Sequence, residues 1–287
     1  MPRGANPPLS PLPDDEAPPL RFSIATWNIN SVRLRIDLVA RFLKEQKPDA
    51  LCLQETKCPD GQFPFGEFRK LGYEHIAING QKGYHGVAIV SRLPIVEATP
   101  RGFCDKGDSR HMRVMLGGEA AGLEIHNFYV PAGGDEPDPA INDKFAHKLA
   151  FVDEMAEWFA AERVAAGRAI LVGDLNIAPL EHDVWSHKAL LNVVSHTPIE
   201  VEKLNRAQVA GPWPDALRRC VPPQQKLYTW WSYRSPDWAK ADKGRRLAHV
   251  WVSPALADGV KAMRVLRDAR GWERPSDHAP VIVDLSL

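Results

Sequence analysis

Three times in this chain a strand-like segment ends on a polar side chain, and that recurrence limits the fold more than any other feature. Ala169-Ile170-Leu171-Val172 leads into Gly173-Asp174-Leu175-Asn176-Ile177-Ala178-Pro179; Ala50-Leu51-Cys52-Leu53-Gln54 leads into Glu55; Arg21 to Asn30 alternates and ends with Asn28 and Asn30. Four apolar residues in a row predict a strand buried on both faces. Ligands collect at the carboxyl ends of strands in open α/β sheets. Residues two apart on extended chain point the same way, so Asp174 and Asn176 are aimed at one spot. An Asp there can take a proton from water or hold a metal, and an Asn can hold the water or a phosphate oxygen. The same pair also suits an Asx turn that merely caps the strand, with Pro179 ending it. One such strand end is ordinary, whereas three suggest a shared polar floor.

Between these points the pattern predicts a helix from about Arg33 to Lys47, stopped by Pro48, and a long helix from about Asn142 to Ala165. Thr197-Pro198-Ile199-Glu200 reads as a capping box with Pro at the first helical position. Strands are expected at 73–79, 86–91, 112–116, 123–131, 227–234, 247–253 and 281–285. Two strand-rich halves, each with a long helix and no linker between them, predict an α/β fold. Its two mixed sheets pack face to face with helices outside, in one domain over residues 21–287. Residues 1–20 hold seven Pro and the run Asp14-Asp15-Glu16, and read as an extended arm.

Lys plus Arg equal Asp plus Glu at 36 each, so net charge announces no nucleic-acid partner. Its distribution says more. Arg218 to Arg246 carries eight basic residues against two acids, interleaved with Trp230, Trp231 and Trp238. Cations among flat aromatics suit a polyanion that has bases or sugars to stack on, although a solvated loop with core tryptophans fits as well. No segment approaches the ~18 apolar residues of a membrane span. Arm residues 1–20 have no apolar signal-peptide core. Four Cys without C-x-x-C spacing point to reduced thiols in a cytosol rather than to zinc.

Together the strand-end residues are Asn28, Glu55, Tyr129, Asp174, Asn176, Asp277 and His278. Carboxylates and carboxamides without Cys make an oxygen-rich site for a hard cation, Mg²⁺ or Mn²⁺. Beside a His, such a site suits phosphoester hydrolysis. The segments Thr26–Arg33, Leu53–Lys57, Tyr129-Val130-Pro131, Gly173–Pro179, Tyr228–Arg234 and Ser276–Pro280 resemble, in order, the motif set of the exonuclease III/AP endonuclease family. That family lies within the endonuclease/exonuclease/phosphatase superfamily.

The resemblance implies a four-layer α/β sandwich and a Mg²⁺-dependent monomeric hydrolase of duplex DNA, with Mn²⁺ as a substitute. Such enzymes nick 5′ of abasic sites, clean blocked 3′ ends and digest 3′ to 5′. It further implies that Glu55 is the main metal ligand, with Asn28 beside it and Asp277 nearby. Asp174 would activate water, Asn176 orient it, and Tyr129 and His278 contact the phosphate or leaving oxygen. DNA contacts would come from Arg33, Lys57, Trp230, Arg234, Arg245 and Leu247, with Trp230 and Leu247 lining a pocket for an extruded abasic sugar, cheap to flip because it has no stacking to lose.

Two positions depart from that pattern. Gly244-Arg245-Arg246-Leu247-Ala248 stands where the family has G-W-R-[I/L]-D, so Ala248 replaces the carboxylate that orients the His. Without it the imidazole loses a fixed tautomer and support for its charged form. Arg245 replaces a pocket Trp, which weakens the expectation of abasic-site preference and favours 3′-end processing. Two alternatives share many of these features: a DNA-binding protein that has lost turnover, and a lipid or inositol phosphate phosphodiesterase, which would need an apolar membrane-facing loop.

Overall fold

The computed structural model describes residues 20–162 and 164–287; the arm expected over residues 1–20 lies, except for Leu20, outside them. Among the described residues thirteen strands appear in the order β1 Arg21–Asn28, β2 Ala50–Gln54, β3 His75–Asn79, β4 Val87–Ser91, β5 Ile95–Thr99, β6 His111–Leu116, β7 Glu124–Tyr129, β8 Ala169–Asp174, β9 Trp230–Trp231, β10 Gly244–Arg245, β11 Ala248–Val252, β12 Val260–Val265 and β13 Val281–Ser286. Six form one mixed sheet, β12-β13-β1-β2-β4-β3, and five form a second, β11-β8-β7-β6-β5; β9 and β10 make a short ribbon.

The sheets pack face to face. Phe22, Ile24, Cys52 and Ile89 of the first meet Val114, Ile125, Ile170, Val172 and Val250 of the second in one buried cluster. Alternate residues point outward under helices. Trp27, Leu51 and Leu53 pack with Val39, Phe42 and Leu43 of the helix Ile36–Gln46. Phe128, Leu171 and Trp251 pack with Phe151, Val152 and Met155 of the helix Asp143–Glu162. Helix, sheet, sheet, helix is the expected four-layer sandwich. It also explains why β2, β4 and β8 are apolar with almost no alternation, since both of their faces are covered.

Each sheet contains one parallel pair, and both pairs end at the same rim. β1 runs parallel to β2 with Asn28 opposite Gln54, and β7 parallel to β8 with Tyr129 opposite Asp174. Just beneath the rim, Gln54 Nε2 donates across the sheets to Asn127 Oδ1 (2.7 Å), and Asn127 Nδ2 donates back to Leu53 O (3.0 Å). These buried amides tie the two sheets together where the strand ends meet, with Gln54 Oε1 left without a partner. Gly173 has φ +148°, and a Cβ there would fall 2.0 Å from Phe128 O; close approach of β7 and β8 requires the missing side chain.

The expected strand over 227–234 contracts to Trp230–Trp231, because Ser232 to Pro236 turn away from the ribbon. The edge strands β5 and β12 were not anticipated. Both are largely open to solvent, and Glu97, Lys261 and Arg264 interrupt their apolar residues.

Candidate active site

Asn28 ties the two sheets' carboxylates together. Its Nδ2 donates to Glu55 Oε1 and to Asp174 Oδ2, both at 2.8 Å. Tyr129 OH donates to Glu55 Oε1 at 2.9 Å, and Lys57 Nζ lies 2.8 Å from Glu55 Oε2. Asp174 Oδ1 accepts the Asn176 backbone N–H at 3.1 Å, and Asn176 Nδ2 donates to Val130 O at 2.9 Å. His278 Nε2 stands 3.6 Å from Asp174 Oδ2. The segment bearing His278 is clamped at β1, since Ser276 Oγ donates to Asn28 O (2.7 Å) and Trp27 Nε1 to His278 O (2.9 Å).

These side chains reach their positions on unusual backbone. Asn30, Glu55, Lys57 and Asn176 all adopt the left-handed region, with φ between 49° and 54°. Such conformations cost about 1–3 kcal/mol for non-glycine residues and persist where the surroundings over-determine them. Here Ser31 N and Val32 N donate to the carbonyls of Glu55 and Thr56, while Thr56 N and Lys57 N donate to those of Gly86 and His85. The Glu55 loop is held from both sides.

Environment separates the two carboxylates. Burial pushes the Glu55 carboxyl up, but the Lys57 ammonium and the Asn28 amide outweigh it and hold it below its ordinary range. At Asp174 burial prevails over His278 and Asn28, and the carboxyl is raised. Burial, then the charges of Glu55 and Asp174, keep the Tyr129 hydroxyl well above its usual value, so it remains a donor. One carboxylate is thus a settled anion and the other a stronger base, a division that often marks acid–base roles.

Glu55, Asn176, Trp230, Arg245, Leu247 and His278 line one cleft of about 820 Å³. Asp277 also lines it and accepts the Trp230 Nε1 proton at Oδ2 (2.9 Å). Arg234 is exposed at the cleft, whereas Arg33 is exposed outside it and donates to Gln62. The basic stretch is only partly a surface. Arg246 is buried between Asp183 and Asp215, and Arg218 pairs with Asp183, so both serve the interior. Arg234, Lys243 and Arg245 are the basic residues of that stretch that reach the cleft.

Among the described residues no group of three His, Cys, Asp or Glu side chains is placed to hold a metal ion. A Mg²⁺ ion typically takes one or two carboxylates and completes its shell with water and substrate phosphate. Glu55, 18% exposed on the cleft, with the Asn28 amide alongside, fits that pattern.

The Ala248 departure has a visible counterpart. Ala248 lies opposite Asp174 across β11 and β8, and His278 Nδ1 is buried with no hydrogen-bond partner.

Sequence reasoning missed Lys148. Its ammonium is fully buried, 2.5 Å from Glu200 Oε1, and donates to Asn176 O (2.7 Å) and Ala132 O (3.2 Å). Glu200 also accepts the backbone N–H groups of Ser195 and Thr197, so the capping box extends into the loop under Asn176. Lys148→Met would leave a buried carboxylate without its cation, which costs roughly 3–5 kcal/mol. A melting temperature lower by on the order of 10 °C is expected, with much of it recovered in Lys148→Met/Glu200→Met. Calorimetry checks this, and an unchanged melting temperature in the single variant would refute it.

The sequence pattern of the Endonuclease/Exonuclease/phosphatase family matches residues 25–278. Exodeoxyribonuclease III of Haemophilus influenzae is 29% identical over 265 residues, covering 89% of this chain and 97% of the relative. Among solved structures, an AP endonuclease from Archaeoglobus fulgidus aligns with TM-score 0.85 at 30% identity, over 93% of this chain and all of the other. A Neisseria 3′ phosphatase bound to product DNA hairpin aligns with TM-score 0.84 at 31% identity, over the same shares. The matched span runs from the middle of β1, just before Asn28, to His278, enclosing every residue that converges on the cleft, and the chain belongs to the endonuclease/exonuclease/phosphatase family.

Proposed function

We propose that residues 21–287 act as one monomeric, cytoplasmic DNA-repair phosphodiesterase. It digests duplex DNA from 3′ ends, nicks at abasic sites and cleans blocked 3′ ends, at a rate lowered by Ala248. The observation that carries this reading is the single amide of Asn28 bridging a lowered and a raised carboxylate, with Tyr129 and His278 converging on the same cleft.

Asp174, raised by burial, takes the proton of the attacking water, and Asn176 orients that water. His278 donates from Nε2 to a phosphate oxygen. Tyr129, kept protonated, donates to the leaving 3′ oxygen. Glu55, with Asn28 alongside, would hold a divalent cation, which would supply charge neutralisation at the scissile phosphate. Trp230 and Leu247 present a flat, apolar wall to a sugar, and Arg234 and Lys243 offer charge to the backbone.

A membrane-lipid substrate is disfavoured by the surface. Where such a substrate calls for an apolar membrane-facing loop, the cleft carries Arg234, Lys243 and Arg245. A DNA-binding protein without turnover is favoured only by the unpartnered His278 Nδ1.

Release of labelled mononucleotides from a blunt duplex separates these readings. Release is expected with Mg²⁺ or Mn²⁺ and abolished by EDTA; binding that weakens steeply between about 50 and 200 mM salt, without release, would leave only the DNA-binding reading.

A further inference from the structure

Arg245 brings a positive charge into the wall of the cleft that Glu55, Asn176 and His278 also line. It lies in the β9–β10 ribbon opposite Trp230, with its guanidinium carbon 5.3 Å from the centre of the Trp230 ring. Nη1 donates to Val194 O (2.9 Å) and Ser195 Oγ (2.7 Å), so stacking and two hydrogen bonds fix the fork in place. Among the described residues it forms no ion pair, and its Nε is buried without a partner. The Glu200 carboxylate that attracts it is already paired with Lys148 at 2.5 Å. Burial accordingly pushes the guanidinium below its ordinary value.

A half-buried cation with too little compensating charge is costly unless an anion completes it. Lys243, stacked 4.8 Å over Trp185 on the same cleft, adds to the local positive potential. Substrates of this cleft differ in the charge they bring. A terminal phosphomonoester carries between one and a half and two negative charges near neutral pH, roughly. It also presents three acceptor oxygens to a planar fork. An extruded abasic sugar is neutral, would compete with the Arg245 side chain for space over Trp230, and would strip water from the guanidinium.

We propose that Arg245 makes this cleft select 3′ ends carrying a terminal phosphate over 3′-hydroxyl ends and over internal abasic sugars. The inference rests on the proposed function for the kind of substrate, but its test does not require turnover.

Fluorescence anisotropy in EDTA compares three duplexes: one with a 3′-phosphate at a one-nucleotide gap, one with a 3′-hydroxyl there, and one intact with a tetrahydrofuran residue. The wild-type chain should bind the 3′-phosphate duplex about ten-fold more tightly than the other two, the scale of one charge-assisted contact. Arg245→Gln and Arg245→Trp should bring that ratio to within about two-fold, with Arg245→Trp gaining affinity for the tetrahydrofuran duplex. Arg245→Gln keeps a donor for Ser195, and circular dichroism checks that it is folded. A wild-type ratio near one, or a ratio that survives in folded Arg245→Gln, overturns the proposal. Preference without hydrolysis of any duplex would sink the hydrolase reading and leave this one standing; hydrolysis without preference would do the reverse.

Discussion

Asp174→Asn should lower hydrolysis of a blunt duplex by about 10³-fold while leaving duplex affinity within a few-fold, the scale lost with a positioned general base. Asp174 is 1% exposed, its carboxyl is raised by burial, and its two oxygens accept from Asn28 Nδ2 and the Asn176 N–H. An amide of the same shape cannot take a proton from water. It also turns one acceptor into a donor facing an existing donor, a loss of about 1–3 kcal/mol in stability. Single-turnover rates and a melting curve on the same sample divide the two effects. Wild-type rates in Asp174→Asn would remove Asp174 from the chemistry.

The opposite change is expected at Ala248. Restoring a carboxylate opposite Asp174 on β11 gives the buried, unpartnered His278 Nδ1 an acceptor. An acceptor at Nδ1 supports the ring protonated at both nitrogens, so that Nε2 keeps a proton for the phosphate, and it holds the ring plane. Where a histidine is itself the general base, loss of such an acceptor costs up to ~10⁴-fold. Here His278 serves as a donor to phosphate, a role the neutral ring still performs from Nε2. A smaller gain of about 10- to 1000-fold in Ala248→Asp follows, equivalent to roughly 1.4 to 4 kcal/mol. A rate unchanged in a folded Ala248→Asp protein would mean that the ring is already held as the reaction needs.

The sequence made the central strands and the residues at their ends legible, because full burial on both faces writes uninterrupted apolar runs. Asn28, Glu55, Tyr129, Asp174, Asn176 and His278 meet at one rim because the parallel pairs β1–β2 and β7–β8 end together. Local patterns hid the rest. Lys148 looks like a solvent-facing lysine in its helix, and only the partner at Glu200, 52 positions away in the chain, makes its burial tolerable. Arg218 and Arg246 count as surface charge by composition yet neutralise Asp183 and Asp215 inside the molecule. The edge strands β5 and β12 are short runs broken by Glu97, Lys261 and Arg264, and their Ile95, Val260, Met263 and Val265 pack only partly buried on the core. Pairwise electrostatics across long sequence separations is what a single chain's periodicity does not encode.

The most direct test of one hydrolytic centre is cleavage of an end-labelled duplex carrying a single tetrahydrofuran abasic analogue. The wild-type chain and Ala248→Asp would be compared, each with Mg²⁺ and with EDTA. Metal-dependent nicking by both is expected, absent in EDTA and faster by at least about ten-fold in Ala248→Asp. No cleavage by either protein, with salt-sensitive duplex binding intact, would contradict it.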